Sequence, residues 1–77
     1  MSRKIKLLWD FRGEDAEATA KHHTVHLKEF AEIEKLAFHE IGVQEKNPMF
    51  VSAFISIAET DMKTYRDALR PHRGEIG

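Results

Sequence analysis

The pattern of hydrophobic and polar positions has a strand-like period of two along two stretches of this chain and a helical period along two others. Over residues 4–11 and 49–58 successive side chains fall on two different faces, which predicts two β-strands. From Gly13 to about Leu36 the apolar residues recur every three or four positions, which predicts an amphipathic helix of about six turns. This helix is the longest predicted element, and we expect the rest of the chain to pack against it.

The long helix has a composition that favours helix formation. After Gly13 it contains neither glycine nor proline, and it is rich in Ala, Glu, Lys and Leu. Acidic residues occupy its first turn, where the helix dipole favours negative charge. Its apolar stripe consists of Ala16, Ala20, His23, Leu27 and Phe30. The small residues come first, so we expect the N-terminal half of the helix to approach a sheet most closely.

The segment that follows the long helix allows two interpretations. Phe38 and Ile41 continue the apolar stripe, which would extend the helix to a C-terminal glycine. The alternative is a strand over residues 37–44 that ends before the turn signal Asn47-Pro48. We favour the strand, because a three-stranded sheet buries the long helix better than two strands would.

A second, shorter helix is predicted after the strand at residues 49–58. It opens near Glu59-Thr60-Asp61, carries a short apolar stripe that includes Tyr65, and ends before Pro71. The tail at residues 72–77 is short and polar, so it either adds a small edge strand or frays. The predicted order of elements is therefore β-α-β-β-α, with room for one final strand.

This order resembles the ferredoxin-like fold, whose pattern is βαββαβ. The resemblance is one of architecture and covers nearly the whole chain. It implies an α+β two-layer sandwich in which two helices cover one face of an antiparallel sheet. We expect residues 1–77 to form one domain of this kind. No family motif matches residue by residue, so the resemblance transfers no function.

The second face of the predicted sheet indicates self-association. If the helices cover the face that carries Trp9, the opposite face exposes Leu8, Phe38, Phe50 and Phe54. An apolar patch of this size indicates a contact surface, and two sheets packed back to back would bury it around a two-fold axis. Such an assembly resembles the dimeric α+β barrel superfamily, which includes small monooxygenases and stress-response proteins. The alternative is that the tail or Pro48 covers the phenylalanines.

Composition limits the classes of function. The 77 residues include no cysteine, which excludes disulfides, thiolate metal sites and cysteine catalysis. The net charge of −1 predicts no nucleic-acid binding. No apolar run approaches the roughly 20 residues that span a bilayer, and the N-terminus lacks a signal-peptide cleavage pattern, so we expect a cytoplasmic protein without membrane contact. No motif indicates a cofactor.

The apolar stripe of the long helix contains a candidate catalytic residue. His23 is predicted to face the sheet, where a buried imidazole either bonds to a neighbour or acts as an acid or base. His39, on the inward face of the second strand, and Tyr65, on the second helix, would join it. The alternative is a core histidine whose ring bonds to a backbone carbonyl or a water molecule.

Basic residues near the C-terminus suggest an anion site, together with one arginine at the end of the first strand. These candidate ligand-binding residues are Arg12, Arg66, Arg70, His72 and Arg73. Guanidinium groups bind carboxylate and phosphate through paired hydrogen bonds. The alternative is that cations at the end of the second helix merely complement the helix dipole.

Two histidines of the long helix are spaced as metal ligands. His22 and His26 are four residues apart, and Glu29 follows three residues later on the same flank. Two imidazoles and a carboxylate can hold a divalent metal. The intervening residues do not match the zinc-protease helix motif, and the alternative is a solvated helix surface.

The leading functional hypothesis is a non-catalytic homodimeric module that binds a protein partner or a small anionic ligand in the cleft between helix and sheet. It rests on the predicted apolar patch on the sheet face opposite the helices and on the lack of a catalytic motif. A second hypothesis is a small cofactor-free enzyme of the dimeric-barrel type, with His23 transferring protons and Arg70 or Arg12 holding the substrate. The sequence does not decide between them.

Overall fold

The computed structural model of the protein describes residues 3–76. It contains a four-stranded antiparallel sheet with strand order β2-β3-β1-β4 and two α-helices, which confirms the predicted α+β class. In chain order the elements are β1 (Lys4–Arg12), α1 (Ala16–Ile33), β2 (Glu40–Asn47), β3 (Phe50–Ala58), a 3₁₀ turn (Glu59–Asp61), α2 (Met62–Leu69) and β4 (Arg73–Ile76).

The two central strands carry most of the core. β1 and β3 pair along their whole length, with Leu7 opposite Ile55, and α1 lies against β3, β2 and β1. Small residues on the helix allow this close approach, because Ala16 and Ala20 are both buried. The buried residues that the sheet contributes beneath the helices are Ile5, Leu7, Trp9, Val51, Ala53, Ile55 and Ile57.

Helix α1 is shorter at both ends than the predicted helix. Gly13 adopts a φ of +110° and donates its N–H to the carbonyl of Met49, so the chain is still turning at that residue. At the other end Lys35 is left-handed, with a φ of 55°, and Leu36 donates its N–H to the carbonyl of Ala31. That bond closes a Schellman turn, which ends the helix at Ile33 without a glycine.

The segment after α1 is extended, so the helical interpretation of residues 37–44 is wrong. The strand begins later than predicted, at Glu40, and continues to Asn47 with a register shift after Glu45. Phe38 therefore lies in the connection before β2. This shift of three residues removes Phe38 from the sheet.

Helix α2 is followed by the short final strand for which the sequence left room. Arg70 adopts a left-handed conformation with a φ of 47°, which ends the helix directly before Pro71. Strand β4 then pairs with the free edge of β1, with Arg73 opposite Leu8 and Ile76 opposite Ile5. Within residues 3–76, no helix is both long and apolar enough to cross a membrane.

The face of the sheet opposite the helices, called here the outer face, is covered by side chains of the same chain. Leu8 is fully buried and Phe54 is 8% exposed. The Phe54 ring lies over Gly42, where an added Cβ would come within 3.3 Å of the ring. Lys6 Nζ lies 4.6 Å from the centroid of the same ring. The glycine therefore lets the ring lie flat on the sheet while the lysine covers it.

The prediction that four apolar residues are exposed on the outer face is wrong. Leu8 and Phe54 are buried within one chain, and Phe38 lies outside the sheet. Phe50 is half-buried, with the Arg12 guanidinium 4.9 Å and Lys46 Nζ 5.8 Å from its ring centroid. Long cationic side chains of the same chain therefore cover the outer face, which we expected a second molecule to cover.

Candidate functional site

His23 lies where α1 crosses the end of β1. Its ring centroid is 4.8 Å from that of Trp9 and 5.7 Å from that of Phe11. Its Nε2 atom is buried and has no hydrogen-bond partner within residues 3–76. Burial lowers the pKa of His23, and the nearby charges of His26, His72 and His22 lower it further. The imidazole is therefore neutral at neutral pH.

The other two predicted catalytic residues have different surroundings from His23. His39 is exposed in the connection before β2. Tyr65 is fully buried, packs its ring 5.6 Å from that of Phe30, and donates its hydroxyl to the carbonyl of Ala37. Burial raises the pKa of Tyr65, and Asp61 raises it further, so the hydroxyl remains protonated. The tyrosine anchors the connection between α1 and β2, and nothing places it beside His23.

Trp9 and His72 tie the C-terminal part of the chain to β1. The indole N–H of Trp9 donates to the carbonyl of Leu69, the last residue of α2, at 2.9 Å. The backbone N–H of Asp10 donates to Nδ1 of His72 at 2.8 Å. His72 thus extends the pairing between β1 and β4 by one side-chain contact.

A charged network lies on the outer face beside Leu8. Arg73 pairs with Asp10 at 3.2 Å and with Glu75 at 2.9 Å. Ser52, which is buried, donates its hydroxyl to Asp10 at 2.6 Å. Burial alone would raise the pKa of Asp10, but the bonds from Ser52 and Arg73 outweigh it and lower the pKa. The bond with Asp10 is the main reason that the pKa of Arg73 is raised.

The arginines of the predicted anion site have different partners. Arg73 is neutralised by the two carboxylates just described, and Arg66 lies 3.5 Å from Asp67. Arg12 stacks on Phe50 on the outer face. Arg70 is exposed in the left-handed residue after α2. An anion site formed by these five residues stays a prediction.

The predicted metal site is also incomplete. His22 and His26 approach each other, with their Nε2 atoms 3.0 Å apart and their ring centroids 4.6 Å apart. Within the described part of the chain, however, no group of three or more His, Cys, Asp or Glu side chains could hold a metal ion. Glu29 therefore does not complete a three-ligand site.

A groove lies between α1 and the start of β2, and none of the residues that line it was predicted to bind a ligand. Its volume is about 360 Å³, and it is lined by Thr24, Val25, Lys28, Phe38 and Ile41. Val25 is 52% exposed and Phe38 is 38% exposed. Lys28 forms no salt bridge within residues 3–76. Apolar walls beside the ammonium group of Lys28 suit a ligand that carries both an apolar body and a negative charge.

The fold and this groove together define a small α+β domain with an open helix–sheet cleft. Comparison of the chain with family models, with curated proteins and with solved structures gave no significant match.

The lowered pKa of Asp10 predicts how stability depends on pH. Because its pKa is lower in the folded state than its ordinary value of 3.8, Asp10 stabilises the fold at higher pH, and this contribution is lost as pH falls below 3.8. Denaturant unfolding measured from pH 6 to pH 2.5 should therefore show that Asp10→Asn loses less of its free energy of unfolding than the wild type does. Glu17→Gln, which removes an exposed ion pair with Lys21, should keep the wild-type decline. If the free energy of unfolding declined equally in Asp10→Asn and in the wild type, the stabilising role of the Asp10 carboxylate would be contradicted.

Proposed function

We propose that the protein is a non-catalytic binding module that holds an amphipathic anion in the groove between α1 and β2, and that it acts as a homodimer. The observation that carries the binding proposal is the groove itself. It places exposed Val25 and Phe38 beside Ile41 and beside Lys28, which has no ion-pair partner among residues 3–76. Exposed apolar side chains that cluster at a concave surface are typical of binding sites.

The chemistry of the groove favours a small carboxylate or sulfonate with an aromatic or branched apolar group. The apolar part would contact Phe38 and Ile41, and the charge would meet Lys28 at the rim. Thr24 contributes little polarity, because its hydroxyl already donates to the carbonyl of Lys21 at 2.6 Å. Apolar contact therefore supplies most of the affinity, and the lysine selects the sign of the ligand's charge.

The fluorescent probe 8-anilinonaphthalene-1-sulfonate has this chemistry and tests the proposal. We expect one probe per chain, with affinity lowered about 10- to 150-fold by Phe38→Ser, since removing one aromatic contact is worth about 1.5–3 kcal/mol. Lys28→Gln should weaken binding less, and the weakening should disappear in high salt. Met49→Ser is the matched control, because Met49 is 50% exposed but lies in the turn between β2 and β3. If Phe38→Ser and Met49→Ser lost equal affinity for the probe, the groove would be refuted as the binding site.

We also propose that the architecture is ferredoxin-like. The support is the order of elements, which ends in the short strand β4, and the pairing of every neighbouring strand in the antiparallel sense. An experimental structure with a different strand order would reject it.

The homodimer is supported by the small size of the domain and by the half-buried Phe50 on the outer face. Because Phe54 is buried within one chain, Phe54→Glu would unfold the protein and says nothing about association. Phe50→Glu is the better variant. Light scattering at high micromolar concentration should give twice the chain mass for the wild type and the monomer mass for Phe50→Glu. A monomeric wild type would refute the dimer.

A second candidate is the cofactor-free enzyme with His23 as the proton-transfer residue. The observation that favours it is the buried Nε2 atom of His23, which has no partner among residues 3–76. An unpaired buried polar group costs about 1–3 kcal/mol and is retained where it serves a function. His23→Leu should therefore raise the free energy of unfolding. A destabilised His23→Leu would show that the imidazole already has a structural partner, and this candidate would lose its support.

A further inference from the structure

The pair of exposed histidines on α1 forms a feature that the groove and the fold do not use. His22 and His26 are one turn apart in the middle of an 18-residue helix, with their Nε2 atoms 3.0 Å apart. The ring of His23 lies instead against Trp9, so it is turned toward the sheet. The pair therefore consists of two imidazoles that both point into solvent from a rigid element.

The distance between the two nitrogens selects the geometry of a metal complex. With metal–nitrogen bonds of about 2.0–2.1 Å, two ligands at 90° to each other lie about 2.9 Å apart, whereas tetrahedral ligands lie about 3.4 Å apart. The observed 3.0 Å fits neighbouring positions of a square-planar or tetragonal complex. Among nitrogen ligands that geometry is typical of Cu²⁺ and Ni²⁺, and Cu²⁺ binds the more tightly of the two.

We propose that His22 and His26 chelate Cu²⁺ through their Nε2 atoms, with water in the remaining positions. Before binding, one ring donates an Nε2–H to the other. On binding, that proton moves to Nδ1 of the same ring, so both Nε2 lone pairs face the metal and no proton is released. Glu29 is not needed, which agrees with the lack of a three-ligand group in residues 3–76.

Titration of the full chain with CuCl₂ in a non-chelating buffer tests the site. We expect one Cu²⁺ per chain, an electron paramagnetic resonance spectrum with two equatorial nitrogens, and a higher melting temperature, since the metal binds the folded helix. His22→Gln and His26→Gln should each lower the affinity at least tenfold, because each leaves a single imidazole. Both positions are exposed and glutamine favours helices, so these variants should fold.

His39→Gln is the matched control, because His39 is an exposed histidine in the connection before β2. It should keep the wild-type affinity within twofold. The proposal is overturned if His22→Gln binds Cu²⁺ as tightly as the wild type, or if His39→Gln loses as much affinity as His22→Gln. A wild-type spectrum with one coordinated nitrogen would also overturn it.

Discussion

Replacing Leu8 by alanine is expected to cost about 2–5 kcal/mol of the free energy of unfolding, although Leu8 lies on the face of the sheet without helices. Leu8 is fully buried, opposite Phe54 on one neighbouring strand and Arg73 on the other. Alanine would leave a cavity beneath the network that joins Arg73 to Asp10. For a chain of this size, each kcal/mol lowers the melting temperature by about 4–8 °C.

The measurement is denaturant unfolding at a concentration where the chain is monomeric, because the burial of Leu8 must not depend on a partner. Ile33→Ala and Ile76→Ala are matched controls, since these residues are 74% and 72% exposed. We expect each control to stay within about 0.5 kcal/mol of the wild type. A Leu8→Ala protein as stable as these controls would show that the outer face of the free chain is open.

Replacing Trp9 by phenylalanine is expected to cost about 2–3 kcal/mol and to loosen the end of α2. The indole N–H donates to the carbonyl of Leu69, and phenylalanine would leave that carbonyl without its donor. The left-handed Arg70 follows directly, so this bond fixes the point at which the chain turns back toward β4. Phenylalanine also fills less of the space against His23.

Amide hydrogen exchange separates this effect from a general loss of stability. In Trp9→Phe, the amides of α2 and β4 should exchange faster, relative to the core strand β3, than they do in the wild type. Tyr65→Phe is the matched control, because it removes a hydroxyl that donates to Ala37 instead. It should cost about 1 kcal/mol and leave β4 protected. If amide exchange were accelerated equally in all elements of Trp9→Phe, a local role for the indole would be contradicted.

The fold class was predictable because the apolar periodicity is strong in the strands and the helix that form the core. Strand β3 was predicted from its period of two and is buried on both faces, and the stripe of α1 that includes Ala20 and Leu27 is buried as expected. The C-terminal end of α1 was not predictable, because it depends on a left-handed residue that is a lysine, Lys35. Lysine gives no sequence signal for that conformation, whereas glycine would have given one.

The outer face was mispredicted because a binary pattern does not show where long side chains lie. Lys6 counts as polar in the pattern, yet it extends across the ring of Phe54. Gly42 gave no signal either, although it makes the space in which that ring lies flat. Leu8, Phe50 and Phe54 were assigned to the correct strands, but Phe38 was not. The exposure of Leu8 and Phe54 was also mispredicted.

A cleft between helix and sheet was expected as the binding site, but the residues that line this groove were not identified. Val25 is an apolar residue on the polar side of α1, and this was the one available signal. Phe38 was assigned to the sheet, so it was not considered as a partner of the helix. Tertiary placement of the connection after Ile33 brings Phe38 to Val25 and Lys28.

Nuclear magnetic resonance mapping of 8-anilinonaphthalene-1-sulfonate on the labelled protein tests the binding proposal most directly. The largest shift changes should fall on the methyl groups of Val25 and Ile41 and on the amides of Lys28 and Phe38, with Met49 and β4 unchanged. Changes that centre on the turn at Met49 or spread evenly over the chain, with Val25 and Ile41 unmoved, would contradict a binding site between α1 and β2.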